Sequence, residues 1–297
     1  MAMHDLLLDS TTDIASHPEF ADRKTTKSVN GVATTGYFIS DFTYAEIKTL
    51  RLTQRLSQRT PLYNGLLTIP SLSEIISLVQ NSYVKTNRTI GLYIELKQPS
   101  FYHSLGFRME DMLLQQLSAA GYDVLSNNKD AKKKTSQKLS ALPSKLYQVN
   151  PIIIQCFEPN TLVYLDTVTD VPLVQLLDSL PTSFWTNPQN LANFTTYADA
   201  LGPNKEDFEK MPYATASSVV QSMHADGLGI HPWTFRGDNN DVPSDMTLQT
   251  ELVYFYCCLQ VDAVFIEFPD QAREVLDGLR GVDGKMPAQC PIDCSAY

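Results

Sequence analysis

Short apolar runs alternate with amphipathic stretches along most of the chain. TIGLYIELKQP is strand-like, with β-branched and aromatic residues closed by a proline. FRMEDMLLQQLSAAGY follows with helical periodicity and stops at Gly121. NPIIIQCFEP then reads as a buried strand, PNTLVYLDTV as a helix, and VPLVQLLDSL as the next apolar run. After the short YADALGPNK come a helix (ATASSVVQSMHADG), a strand (LGIHPWTF), an apolar helix (LQTELVYFYCCLQ), a strand (VDAVFIEFPD) and a last helix (QAREVLDGL). The predicted core strands lie near residues 90–97, 151–157, 172–178, 197–203, 228–234 and 262–268.

Alternating strands and helices specify an α/β fold whose parallel sheet has helices outside it. Strands at six positions cannot close an eight-stranded barrel, so the sheet is open or two strands are missing. Residues 10–80 break the alternation with polar, turn-rich sequence, followed by two predicted helices, TYAEIKTLRL and SLSEIISLVQNS. Thr43 is placed to cap the first, with Glu46 three residues on, and Ser71 to cap the second. We read 1–280 as one domain carrying a surface insertion at 10–70, and 281–297 as a Gly/Pro/Cys tail.

Composition narrows the function. The chain has 297 residues, 43% hydrophobic and 19% charged, as in globular domains, with a net charge of −10. That balance argues against nucleic acid, which demands clustered Lys and Arg. The one basic run, Lys132-Lys133-Lys134, is expected to be a solvated loop. No apolar run reaches the ~18 residues of a membrane span, and the polar first ten residues do not read as a signal peptide. The five cysteines lack zinc-site spacing; Cys290 and Cys294 could close a small loop or remain free thiols. Asn87-Arg88-Thr89 and Asn193-Phe194-Thr195 are glycosylation triplets.

Candidate chemistry gathers at strand ends. In Tyr-Ile-Glu-Leu-Lys, alternation puts Glu95 and Lys97 on one face. There Glu95 could hold a divalent cation and Lys97 a phosphate; the plainer alternative is a strand-end ion pair without a task. Trp233, in His231-Pro232-Trp233-Thr234, could wall a substrate pocket or simply pack in the core. Asp270 could cap the helix after Pro269, while Glu267 has no assigned role. His4, oriented by Asp5, could serve as acid or base, although alone it would be a mobile residue of a terminus. His17, His103 and His224 have no partner evident in the sequence.

Taken in order, HDLLLDSTTDIASHPEFADRK, GYFISDFTYAEIKTLR, IPSLSEIISLVQ, IGLYIELKQPSFYH, IIIQCFEPNTLVYL, DALGPNK, GIHPWTFR and DAVFIEFPD resemble the glycerophosphodiester phosphodiesterase family, in its periplasmic bacterial and secreted plant-type branch. The resemblance covers residues 4–280. It implies a TIM (β/α)8 barrel with an insertion after the His-Asp segment. It implies hydrolysis of glycerophosphodiesters to sn-glycerol 3-phosphate and an alcohol, with Ca2+ or another divalent cation. His4 matches one of the two acid–base histidines, Glu95 a metal ligand and Lys97 the phosphate-facing lysine. Trp233, with His231 and Phe157, matches substrate-lining positions.

The family pattern also has a first strand bearing His-Arg-Gly and a second bearing a Glu-x-Asp metal pair, both ahead of the His-Asp pair. Nothing here matches them. The resemblance therefore implies an N-terminally truncated barrel lacking its first two strands, with open sheet edges and one metal ligand of three. A lone Glu holds calcium weakly, so this chain is expected to be inactive or nearly so, and its parent a secreted phosphodiesterase. The alternatives are an inactive short form acting as a binding module, or a related phospholipase D-like or phosphatidylinositol-specific lyase barrel. The expected partner is a small glycerophosphodiester; the sequence fixes no oligomeric state.

Overall fold

The computed structural model describes residues 1–87, 90–125, 152–238, 241–281 and 284–297. They fall into two compact units, Met1–Gly91 with Glu95–Val124, and Leu92–Ile94 with Leu125–Tyr297. Lys132–Lys134 and part of the triplet at Asn87 lie outside the described residues.

The first unit opens with two 3-10 turns and an antiparallel hairpin, β1 (Thr25–Val29) and β2 (Val32–Gly36). The sequence reading missed this hairpin, although Asn30-Gly31 is a strong two-residue turn signal. Both turn residues have positive φ, 50° and 81°. Thr43 and Glu46 form the expected reciprocal cap, but its helix is only Tyr44–Ile47. Beyond it, backbone bonds from Leu52 to Leu67 and from Thr53 to Thr11 draw the chain out of the helical path. The second expected helix forms in full as Leu72–Thr86, capped by Ser71 and Glu74. Leu8, Ile14, Phe20, Phe42, Ile47, Leu50 and Ile69 make this unit's core.

The sheet has five strands in the order β3 (Leu92–Glu95), β4 (Ile152–Cys156), β5 (Leu173–Leu177), β6 (Ala200–Pro203) and β7 (Gly229–Ile230). The pairs β4–β5, β5–β6 and β6–β7 are parallel. Every residue of β4 is buried, which explains its unbroken apolar run. Its polar exception is Gln155. Gln175 of β5 is buried too, and donates to the carbonyls of Cys156, Phe157 and Leu176.

Two strand expectations are corrected. The segment 228–234 keeps only the two residues of β7, and 262–268 forms no regular strand. Phe265 donates to the Pro232 carbonyl, and Phe235 bridges Ile266. Pro232 has no N–H to return, so no continuous ladder develops. Asp270 does not cap the last helix, Pro269–Leu279. The cap position is Phe268, and Asp270 lies in the first turn.

The cysteine pairing also differs from expectation. Cys257 joins Cys290, and Cys258 joins Cys294; Cys156 is a buried free thiol. Adjacent cysteines on Tyr254–Leu259 thus hold the tail at two points.

Candidate functional site

His4 sits on a tethered segment. The Ala2 N–H donates to the Pro70 carbonyl at 2.8 Å, Ile39 donates to Leu6 at 3.0 Å, and Leu8 to Tyr37 at 2.9 Å. At Gly36, a Cβ would lie 2.7 Å from Asp9 Oδ2 and 2.8 Å from Leu7 Cδ1, so these two side chains occupy the space that a larger residue would need. Asp9 Oδ2 accepts from the Tyr37 N–H at 2.8 Å. The expectation of a fraying terminus gives way to a short segment pinned by backbone bonds and an isolated bridge between Leu7 and Phe38.

A line of alternating charge runs through His4. Arg55 donates to Asp5 Oδ2 at 3.0 Å, and Asp5 Oδ1 lies 2.6 Å from His4 Nδ1. His4 Nε2 lies 3.3 Å from Lys97 Nζ, which lies 3.2 Å from Glu95 Oε1. An ammonium has only donors, so Nε2 is the acceptor and Nδ1–H faces Asp5. His4, Asp5, Glu95 and Lys97 all belong to the first unit. The sequence reading put Glu95 and Lys97 on one face, and the structure pairs them. After Lys97 the backbone turns left-handed at Gln98, φ 55°, whose side chain accepts from Asn30 Nδ2 at 2.7 Å. Pro99 then starts a helix and fixes the direction of departure.

Asp5 and Lys97 line a cavity of 310 Å³, with Leu6, Leu7, Asp9 and Gln98. His4, Asp5 and Arg55 border a second cavity of 330 Å³. Arg55 escaped sequence reasoning, because nothing local links it to Asp5 across 50 positions.

The aromatic candidates lie in the second unit. Phe157, just past β4, meets Trp233 edge-to-face with centroids 5.6 Å apart. Trp233 Nε1 donates to the Gly202 carbonyl at 2.8 Å, so its ring is anchored and half-buried. His231, expected to line the substrate, is instead 2% exposed. Its Nδ1 lies 2.7 Å from the Tyr93 hydroxyl, and burial pushes its pKa down to about 4. Tyr93, another residue the sequence reading left out, also packs edge-to-face on Phe265 at 4.6 Å. The three histidines without evident partners all have one: His17 meets Asp13 and Glu19, His103 meets Glu110, and His224 meets Asp262.

Glu95 alone does not make a calcium site. Among the described residues, three or more metal-binding groups converge only at Cys258, Cys290 and Cys294, which are disulfide-bonded. Calcium takes six to eight oxygens, whereas Glu95 here meets Lys97.

The chain is 32% identical over 284 residues to glycerophosphodiester phosphodiesterase GDPD6 of Arabidopsis thaliana, covering 89% of this chain and 71% of the relative. It is 25% identical to a glycerophosphodiester phosphodiesterase of Haemophilus influenzae, with 94% and 79% covered. Its fold is similar to the crystal structure of a glycerophosphoryl diester phosphodiesterase from Agrobacterium tumefaciens, with a TM-score of 0.50, 15% identity, and 92% and 77% covered. The family model for glycerophosphoryl diester phosphodiesterases matches residues 1–271, and the chain belongs to that family of enzymes.

Proposed function

We propose that the chain binds glycerophosphodiesters at the Arg55–Asp5–His4–Lys97–Glu95 line and hydrolyses them to sn-glycerol 3-phosphate and an alcohol. The single observation carrying this reading is Lys97 Nζ held 3.3 Å from His4 Nε2 and 3.2 Å from Glu95 Oε1. Lys97 is assigned to the phosphodiester as a point charge that meets the charge developing on the phosphoryl oxygens. His4 is assigned as the proton-transfer group at Nε2, with Asp5 fixing the ring through Nδ1 and Arg55 fixing Asp5. By resemblance, Trp233 and Phe157 are assigned to apolar parts of the substrate, and His231 to a buried place against the Tyr93 hydroxyl.

Divalent-metal dependence is general in the family. Glu95 is the carboxylate we assign to that role, but the donor set around it is too small for a calcium cage. Turnover by this chain is accordingly expected to be weak and little changed by added Ca2+. The barrel of the family is the architecture we infer for the sheet. The two disulfides favour an oxidising compartment, such as the one a secreted protein meets. Among the described residues no helix is long and apolar enough to cross a membrane.

The test is release of choline from glycerophosphocholine, with and without Ca2+. His4→Ala should lower kcat about a hundredfold, the usual scale of an acid–base group, and Lys97→Ala should raise the inhibition constant for glycerol 3-phosphate. Unchanged kinetics in both variants would remove the assignment.

A further inference from the structure

Residues 60–67 are exposed without a break, and four of them are large and apolar: Leu62 at 69%, Tyr63 at 61%, Leu66 at 67% and Leu67 at 55%. This loop is a built structure. Asn64 donates to the Pro61 carbonyl at 2.9 Å and Leu66 to Tyr63 at 3.2 Å. Gly65 donates to the Leu52 carbonyl at 3.0 Å and Leu52 to Leu67 at 2.8 Å, tying the loop to its neighbour. Gln54 N–H adds a bond to Asn64 Oδ1 at 2.8 Å. Ordered backbone thus holds out apolar side chains that the nearby core, with Leu50 and Ile69 buried, does not take in. Contiguous exposed apolar groups of this kind mark an interaction surface.

The surrounding charge identifies the partner. Residues 47–73 carry Lys48, Arg51, Arg55 and Arg59 and no Asp or Glu, within a chain of net charge −10. Lys48 is paired with Glu74 and Arg55 with Asp5, while Arg51 donates to the carbonyls of Lys48, Thr49 and Leu50. A second copy of the chain would bring this same basic strip against itself. Aliphatic tips beside a tyrosine and arginines suit a negatively charged lipid surface, with the tips at the acyl boundary and the cations among headgroups.

We infer that the 60–67 loop docks the protein on anionic phospholipid surfaces. Tyr63 and Leu67 border the same cavity as His4 and Asp5, so docking would set that cavity beside the lipid. The inference stands whether or not His4 has its assigned catalytic role.

The experiment is co-sedimentation of the full chain with phosphatidylcholine vesicles and with mixed phosphatidylcholine–phosphatidylglycerol vesicles. Binding to the mixed vesicles, weakened by salt and much weaker on neutral ones, is expected. Leu62→Ser with Leu66→Ser should lower the partition coefficient by on the order of a hundredfold, given the transfer cost of two leucines. Far-ultraviolet circular dichroism checks that the variants fold. Wild-type protein left in the supernatant with both vesicle types would overturn the inference, as would undiminished binding by the double leucine variant. Equal, salt-insensitive binding to neutral vesicles would also overturn it. A dimer abolished by the leucine changes, without vesicle binding, would assign the loop to a second copy instead.

Discussion

Removing the paired disulfides should cost stability in a markedly non-additive way. Cys257–Cys290 closes a loop of 33 positions and Cys258–Cys294 one of 36. Loop-closure entropy for a ring of that size corresponds to about 4 kcal/mol at 25 °C. Once either bridge exists, the other closes only a small ring, from one adjacent cysteine through the first bridge and along the tail to Cys294. A ring of roughly six residues corresponds to about 2 kcal/mol. Replacing either pair by alanine should therefore cost about 2 kcal/mol, and replacing both about 6 kcal/mol. Both tryptophans, Trp185 and Trp233, lie in the second unit, so denaturant unfolding followed by tryptophan fluorescence reads the unit that holds the bridges. If each pair alone cost about 4 kcal/mol and both together about 8, the bridges would be acting as independent loops, and the argument from nesting would fail.

Three further predictions concern buried titratable groups in the second unit. The pKa of His231 is lowered from 6.5 to about 4 by burial, so the unfolded chain takes up a proton that the folded one refuses. Stability should fall as pH drops from about 6.5 toward 4, by up to about 3 kcal/mol; His231→Leu should flatten that limb in urea titrations, and an unchanged limb would refute the assignment. Lys205 donates to Glu209, Glu251 and the Asp241 carbonyl, and Glu251 is fully buried. Lys205→Met should cost about 3–5 kcal/mol, because the largely buried Glu209–Glu251 pair, which shares one proton's worth of charge, loses the cation that balances it, with Lys205→Met/Glu251→Met costing less; equal costs would show that the unbalanced charge is not the cause. Burial raises the pKa of Glu251 above its ordinary 4.5, with the Glu209 bond acting the same way against Lys205. The folded state then holds the proton longer, so Glu251 contributes stability at low pH that is lost as pH rises above the ordinary carboxylate range. Glu251→Gln should remove that alkaline loss in the same titrations.

Local signals were legible where they close locally. The Thr43–Glu46 and Ser71–Glu74 boxes involve residues three apart, and both formed. The apolar run of β4 declared its burial on both faces. The Asn30-Gly31 turn was also local, yet its flanks, TTKSV and VATTG, lack the apolar alternation that marks a half-buried hairpin. Distant closure was not legible. Four cysteines allow three pairings, and the sequence left Cys290 and Cys294 either joined to each other or free, whereas the fold brought each to one of two adjacent cysteines. The helix expected beyond Ile47 and the strand at 262–268 each gave way to bonds made by segments far off in sequence.

The candidate site divides along the same line and suggests how its parts work together. Glu95 and Lys97 were readable from a spacing of two, but their relation to His4, 93 positions from Lys97, came only through resemblance. The geometry adds what resemblance did not imply, a lysine shared between a carboxylate and the imidazole lone pair. On the reading proposed above, an incoming phosphodiester competes for that ammonium. As Lys97 turns its hydrogens to phosphoryl oxygens, His4 Nε2 is released, while Arg55 and Asp5 keep the ring in place. Proton acceptance by His4 would then become available when substrate arrives, so Lys97→Ala should alter kcat as well as phosphate affinity. An effect on affinity alone would mean that the 3.3 Å contact has no part in catalysis.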